Sequence, residues 1–127
     1  EGSLNLKQLS AILDMLPFAL TFVDANDKVA YFGGGANIFP HSKNAIGNSV
    51  FSCHTPASKP IIEKIFKEFH EGKKNEISYW FTPRKMGRKL YLRYYAVHDD
   101  DDQYLGCLEV AQDITDIEKL TGQKKTE

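Results

Sequence analysis

Cys53 and His54 stand side by side, shortly before a proline-flanked segment that reads as the start of a helix. A thiol beside an imidazole near a helix N-terminus can have a lowered pKa and become reactive or metal-binding. Three chemistries use such a pair. A heme takes His54 or Cys53 as an axial ligand, a redox sensor uses the Cys53 thiolate, and a chromophore can be attached covalently to the cysteine. A structural role competes with all three, with His54 capping or hydrogen-bonding its own neighbourhood. The chain's only cysteines, Cys53 and Cys107, are too few for a disulfide framework and lack the CxxC spacing of a zinc site. Two reduced thiols in a cytoplasmic protein are therefore expected. His41, His70 and His98 show no mutual spacing for a metal, and His70, near the end of a helix, can serve the helix dipole there.

Other residues that invite a chemical reading yield less. Gly33-Gly34-Gly35 is followed by no Lys-Ser or Lys-Thr and opens no long helix, so it reads as a flexible strand exit and not as a phosphate loop. The acidic run Asp99 to Asp102 lacks the spaced ligands and glycine bend of a calcium loop and reads as a solvated hairpin turn. Glu109 is a lone acid on a strand with no evident acid/base partner. No G-x-S-x-G elbow, kinase catalytic loop or His-Glu-x-x-His occurs, and no enzyme is expected.

The elements that would position these residues follow from periodicity. Leu6, Leu9, Ile12, Leu13 and Leu16 recur at helical steps, and Pro17 ends that amphipathic helix. Ala19 to Asp24 and Lys28 to Phe32 read as strands joined at the Asn26-Asp27 turn. Positions 36–48 are broken into short helical turns, with Ser42 a cap and Gly47 a stop. Thr55 or Ser58 caps the next helix, which has Pro56 and Pro60 near its start and Ile61, Ile62, Ile65, Phe66 and Phe69 on one face, and Gly72 closes it. Glu76 to Thr82, Lys89 to Val97 and Tyr104 to Ile114 are strands. In the middle one, Leu90, Leu92, Tyr94 and Ala96 take the buried face. Tyr91, Arg93 and Tyr95 take the other, facing solvent or the N-terminal helix. The segment after Ile114 reads as the first turns of an outgoing helix with a frayed end.

Composition bounds the rest. The 127 residues are 42% hydrophobic, enough for one domain with one core. Sixteen basic and seventeen acidic residues give a net charge of −1, which provides no field to attract nucleic acid or an anionic membrane. No apolar run approaches the ~20 residues of a membrane span, and the start does not read as a signal peptide. Beginning Glu1-Gly2-Ser3 without a Met, the chain reads as a segment of something longer.

The order helix, two strands, short helices, long helix, three strands resembles PAS domains, over about Leu9 to Leu120. Its most specific piece is Gln112-Asp113-Ile114-Thr115, similar to the Asp-Ile-Thr signature that closes the last PAS strand. The resemblance implies an α+β fold: a five-stranded antiparallel sheet with short helices and one long helix on one face, plus an N-terminal amphipathic helix. Residues 1–17 would be the flanking helix, 18–116 the PAS domain, and 117–127 an exit helix and tail. Ile46-Gly47 through Cys53-His54-Thr55-Pro56, the helix that follows, and Tyr104-Leu105-Gly106 through Asp116 resemble a bacterial subgroup with the PAS domain at the carboxy end, behind a hemerythrin-like region. No hemerythrin part is present in the sequence, so no diiron site is assigned.

That resemblance implies a sensory module. Its ligand or cofactor pocket, between the sheet and the long helix, would be lined by Phe22, Phe32, Phe39, Ile62, Phe66, Tyr79 or Trp80, Leu92, Tyr94 and Leu108, beside Cys53 and His54; the same residues would also suit a plain core. Heme leads the cofactor candidates. A flavin is disfavoured because the Asn-Cys-Arg-Phe-Leu-Gln type motif is missing. Cys53 lies closer to the preceding Ile-Gly than the pigment cysteine does in photoactive yellow protein. Asp113 and Thr115 would tie the last strand to the exit helix and relay the state of the core. A ligand-free interaction module is the competing role. Its partners would be a second copy, met through the Leu6 to Leu16 helix or the outer sheet face, and other domains of the parent protein.

Overall fold

The computed structural model describes residues 1–39 and 43–126. Helix α1 (Leu6–Met15) precedes strands β1 (Ala19–Asp24) and β2 (Val29–Gly33). Two short 310 turns, Lys43–Ala45 and Val50–Cys53, lead to α2 (Lys59–His70), and β3 (Glu76–Phe81), β4 (Leu90–His98) and β5 (Tyr104–Asp113) complete the chain. The Ser42 cap and His41 fall outside the described residues. All strand pairs are antiparallel, in the order β2-β1-β5-β4-β3, so the last strand in sequence is the centre of the sheet. This is the expected α+β fold.

The hairpin β1–β2 is built by side-chain turn chemistry. Asp24 Oδ1 accepts from the N–H groups of Asn26 and Lys28, at 2.9 and 3.0 Å, and Asp27 takes a positive φ of 61°. The Asp27 carbonyl then accepts from Val50 N at 2.8 Å, and its carboxylate meets His70 Nε2 at 2.8 Å. His70 thus pins the end of α2 to the β1–β2 turn, a tertiary role beyond the dipole reading. Its ring and that of His98 both pack edge-on against Tyr104, with centroids 5.0 and 5.8 Å away.

Helix α2 is the amphipathic element that closes the core. Ile62, Ile65, Phe66 and Phe69 are buried against Val23, Val29, Leu92, Tyr94, Cys107 and Ala111 of the sheet. Ile61, expected on that face, is 52% exposed, because one residue back from Ile62 rotates it about 100° around the helix. At twelve residues, α2 is only slightly longer than the ten-residue α1.

Helix α1 starts at a capping box that the leucine pattern did not reveal, in which Asn5 accepts from Gln8 N and Gln8 accepts from Asn5 N. It buries no residue, and Leu6 and Met15 are 84% and 83% exposed. At the other terminus the expected exit helix is a three-residue 310 turn, Ile117–Lys119, with no helix or strand at 120–126. Ile117 and Leu120 are exposed, so no tertiary packing offsets the cost of nucleating a helix there.

Candidate functional site

Between the inner face of the sheet and α2 lies a cavity of about 530 Å³. Strand alternation decides which residues reach it. On β1 and β5 the inward set includes Thr21, Val23, Cys107 and Glu109; on β3 and β4 it includes Tyr79, Phe81, Leu92 and Tyr94. Phe32, Phe39, buried Val50, and Ile62 and Phe66 of α2 also line it, with exposed Cys53 and half-buried His54 and Ser58. Of the residues expected here, Cys53, His54, Phe32, Phe39, Ile62, Phe66, Tyr79, Leu92 and Tyr94 are therefore brought together.

Phe22, Trp80 and Leu108 are corrections. Each is one residue out of phase with an inward neighbour, so its side chain emerges on the opposite face of the sheet: Phe22 pairs with Leu108 across β1–β5, and Trp80 with Tyr91 across β3–β4. Trp80 is 62% exposed and stacks edge-on with Tyr91. Of the two alternatives at this point, Tyr79 is the one in the cavity. Tyr91, Arg93 and Tyr95 occupy the outer face, half-buried. The Arg93 guanidinium lies over the rings of Tyr91 and Phe18, 4.8 and 5.8 Å from their centroids, and donates to Gln112 Oε1 at 2.9 Å.

Glu109 is the residue that the lone-acid reading missed. The strand register puts it opposite Thr21 on one side and Tyr94 on the other, so a polar row crosses the floor of an otherwise apolar cavity. Tyr94 is paired with Glu109 across β4–β5, and its hydroxyl lies 3.4 Å from the Tyr79 hydroxyl. Burial first, then the Glu109 charge, pushes the Tyr94 phenol far above its ordinary range, so it stays a donor. Burial likewise raises the Tyr79 phenol and the Cys107 thiol, which disfavours the Cys107 thiolate. One cue was available in the sequence: Glu109 lies two residues from Cys107 and two from Ala111, on their side of a strand with both faces covered.

Cys53 and His54 are each directed at a backbone carbonyl. His54 Nδ1 lies 2.8 Å from the Val50 carbonyl oxygen; a carbonyl only accepts, so this nitrogen carries the proton. Cys53 Sγ is directed at the Ser49 carbonyl oxygen at 3.7 Å. Cys53 closes the Val50–Cys53 turn, before α2 begins at Lys59. For heme, His54 Nε2 is the only lining imidazole nitrogen in place among the described residues. Among the described residues the lining offers no Lys or Arg for two propionates. No group of three or more His, Cys, Asp or Glu suited to a metal occurs among the described residues.

The end of β5 is tied to the β3–β4 loop. Asp113 Oδ2 accepts from Arg88 Nε at 2.8 Å, and Oδ1 accepts from Thr115 N at 3.0 Å. Thr115 Oγ1 accepts from Lys89 N at 2.8 Å, and Arg88 Nη2 reaches Asp116 at 3.2 Å. Asp113 and Thr115 therefore clasp a loop as well as shaping the 310 turn. The Arg88 guanidinium, then Thr115, holds the Asp113 carboxyl at about 2, below its ordinary 3.8. A depressed folded-state pKa means the contribution is complete above pH 4 and fades as pH falls toward 2. Asp113→Asn is therefore expected to destabilise at pH 6 by about 1 kcal/mol or less, as suits a solvent-exposed pair. Urea midpoints of mutant and wild type should converge by pH 2. A gap that stays constant from pH 6 to 2 contradicts the assignment.

The comparisons with known proteins agree with this architecture. The PAS domain family model matches residues 9–115, and the chain belongs to that family. A C-terminal domain from Streptococcus mutans is 29% identical and superposes with a TM-score of 0.86 over 95% of this chain and 93% of that one. A sensory box sensor histidine kinase from Vibrio cholerae shares 15% identity, with a TM-score of 0.61 over 84% and 89%. The PAS domain of the Cronobacter turicensis quorum-sensing receptor RpfR, solved in complex with C12:0, shares 19% identity, with a TM-score of 0.54 over 78% and 95%. No curated protein matches the sequence. No helix among the described residues is long and apolar enough to cross a membrane.

Proposed function

We propose that this chain is a sensory module whose cavity holds a small ligand, and whose response leaves through the Asp113–Thr115 clasp. The observation that carries this is the cavity itself. About 530 Å³ lies within the size of ligand sites and far above the voids of a packed core. Its lining joins aromatic walls to a few polar groups, as orientation of a small molecule requires. Family membership supports the same reading, as does a receptor PAS domain solved with a bound molecule. The reading assigns no catalysis, since Cys53 and His54 are each engaged with a backbone carbonyl and not with one another.

Relay follows from connectivity. β5 contributes Cys107 and Glu109 to the cavity and ends at Asp113, so a shift in its register or twist reaches the Arg88 loop and the segment after Thr115 directly. A second role is favoured by α1. An amphipathic helix with no buried residue fits pairing with another copy, or with a neighbouring domain of a longer protein such as the hemerythrin-like region of the resembling subgroup.

The test is to purify the chain natively, unfold it in guanidinium, and analyse the released small molecules by mass spectrometry. The refolded, stripped domain should melt lower than the native one and recover when the extract is returned. Saturation at 100 times Kd corresponds to about 2.7 kcal/mol. Identical melting before and after stripping, with nothing released, counts against a resident ligand and leaves the pairing role.

A further inference from the structure

We propose that two copies of this chain pair edge to edge through β3, antiparallel about a two-fold axis at Ser78, so that their five-stranded sheets join into one. This pairing is independent of the ligand reading and uses a surface other than α1. The two edges of the sheet differ. β2 is closed on its outer side: Val29 N donates to the Asn48 carbonyl at 3.0 Å, the Val29 carbonyl accepts from Gly47 N at 2.7 Å, and Lys28 bridges to Ser49. β3 has no such cover. Ala96 N donates to the Asn75 carbonyl at 2.9 Å, which fixes the phase of the β3–β4 ladder. Ile77, Tyr79 and Phe81 exchange bonds with β4, and Glu76, Ser78 and Trp80 aim their N–H and C=O groups away from it. Among the described residues no other backbone segment takes those groups. Natural edges are blunted by Lys, Pro or a bulge. β3 contains none of these, and Trp80 on it is 62% exposed.

A second copy of β3 is the strand that matches. With Ser78 on the axis it faces the partner's Ser78, and Glu76 faces the partner's Trp80. Every outward residue then meets an outward residue, and each such pair exchanges two hydrogen bonds. Charge favours the same orientation. The β4–β5 turn at one end of β4 is acidic, Asp99 to Asp102, and the β3–β4 loop at the other end is basic, with Arg84 and Lys85. None of these six is in an ion pair among the described residues, whereas Lys73, Lys74, Arg88 and Lys89 nearby are already paired within the chain. Antiparallel pairing turns each copy's basic loop toward the partner's acidic turn, and the contact occurs twice. About two strand spacings, roughly 10 Å, separate the opposite charges, close to the screening length in physiological salt. Parallel pairing would set like ends together.

Sedimentation equilibrium of the full chain at pH 7 is expected to show a monomer–dimer equilibrium that weakens about ten-fold between roughly 0.05 and 0.5 M NaCl. Ser78→Pro removes the N–H on the axis, which faces solvent in the monomer. It should therefore keep the fold by circular dichroism and weaken pairing about ten-fold or more. Ser78→Cys reads the same contact without a proline, and guards against a Ser78→Pro chain that fails to fold. In a Cys53→Ser background, mild oxidation should link two copies through that position, because residues of a hydrogen-bonded pair have Cα atoms about 5.5 Å apart, within disulfide reach. Trp80→Cys in the same background lies off the axis and should not link. Leu6→Gln with Met15→Gln, both exposed on α1, should pair as the wild type does. A chain that stays monomeric up to about 1 mM overturns the edge pairing and leaves the ligand reading standing. A dimer that α1 substitution abolishes, or that neither Ser78→Pro weakens nor Ser78→Cys links, overturns it as well.

Discussion

Gly106→Ala is expected to lower the melting temperature by roughly 7–22 °C, a loss of about 2–6 kcal/mol divided by the entropy of unfolding for a domain of this size. Two costs add. Gly106 has φ +144°, a conformation an L side chain rarely adopts, and such strain is worth about 1–3 kcal/mol. A Cβ there would also drive into the Val23 carbonyl oxygen and the Phe22 ring, and overpacking of this kind costs about 1–3 kcal/mol more. The strain has a structural origin. Gly106 pairs with Val97 and Tyr104 with His98, so Leu105 is the extra residue of a bulge in β5 just before the cavity strand begins. The outward-facing Phe22 covers the bare glycine, which explains an aromatic on that face. Gly47→Ala is the control: φ is +85° but no atom lies within 4 Å of an added Cβ, so about 1 kcal/mol is expected. Equal melting of the two variants contradicts the close approach at Gly106.

How much of this was legible in the sequence depends on which physical signal each part leaves there. The elements were readable because Leu90, Leu92 and Tyr94 alternate and Ile62, Ile65, Phe66 and Phe69 recur at helical steps, and both patterns are local. Cavity membership was readable wherever phase was clear, as for Leu92 and Tyr94. It failed at Phe22, Trp80 and Leu108 because aromatic and aliphatic residues occupy both faces of β1, β3 and β5, and hydrophobicity alone then cannot tell inside from outside. The Tyr79 and Trp80 pair shows the ambiguity at its sharpest: adjacent large aromatics must point to opposite faces, and only the β3–β4 register, Tyr79 opposite Leu92, decides between them. Glu109 was hidden for a different reason. Its partners Thr21 and Tyr94 lie far off in sequence and meet it only when β5 inserts between β1 and β4. The Asp113–Arg88 clasp is non-local in the same way. An exit helix was inferred from the TDIEKL pattern, but without a surface to pack on, that local pattern yields a single 310 turn.

Phe69→Ala and Phe66→Ala form a pair whose difference reports on the cavity. Both rings are at most 2% exposed on the same face of α2, and truncating a buried Phe costs about 3–5 kcal/mol. Phe69 does not line the cavity and its ring is enclosed by protein, so the upper end of that range is expected. Phe66 borders the open space and packs edge-on against Phe51 at 5.7 Å, so part of its surface has no protein atoms to lose and the lower end applies. Urea unfolding of the stripped domain should therefore separate the two by about 1 kcal/mol, with similar m-values. With ligand bound the missing contacts are supplied, and the Phe66→Ala loss should rise toward that of Phe69→Ala because the mutant forfeits part of the binding energy as well. Equal losses in the stripped protein contradict a cavity that stands open beneath Phe66. A gap that persists unchanged on adding ligand places the ligand elsewhere in the domain.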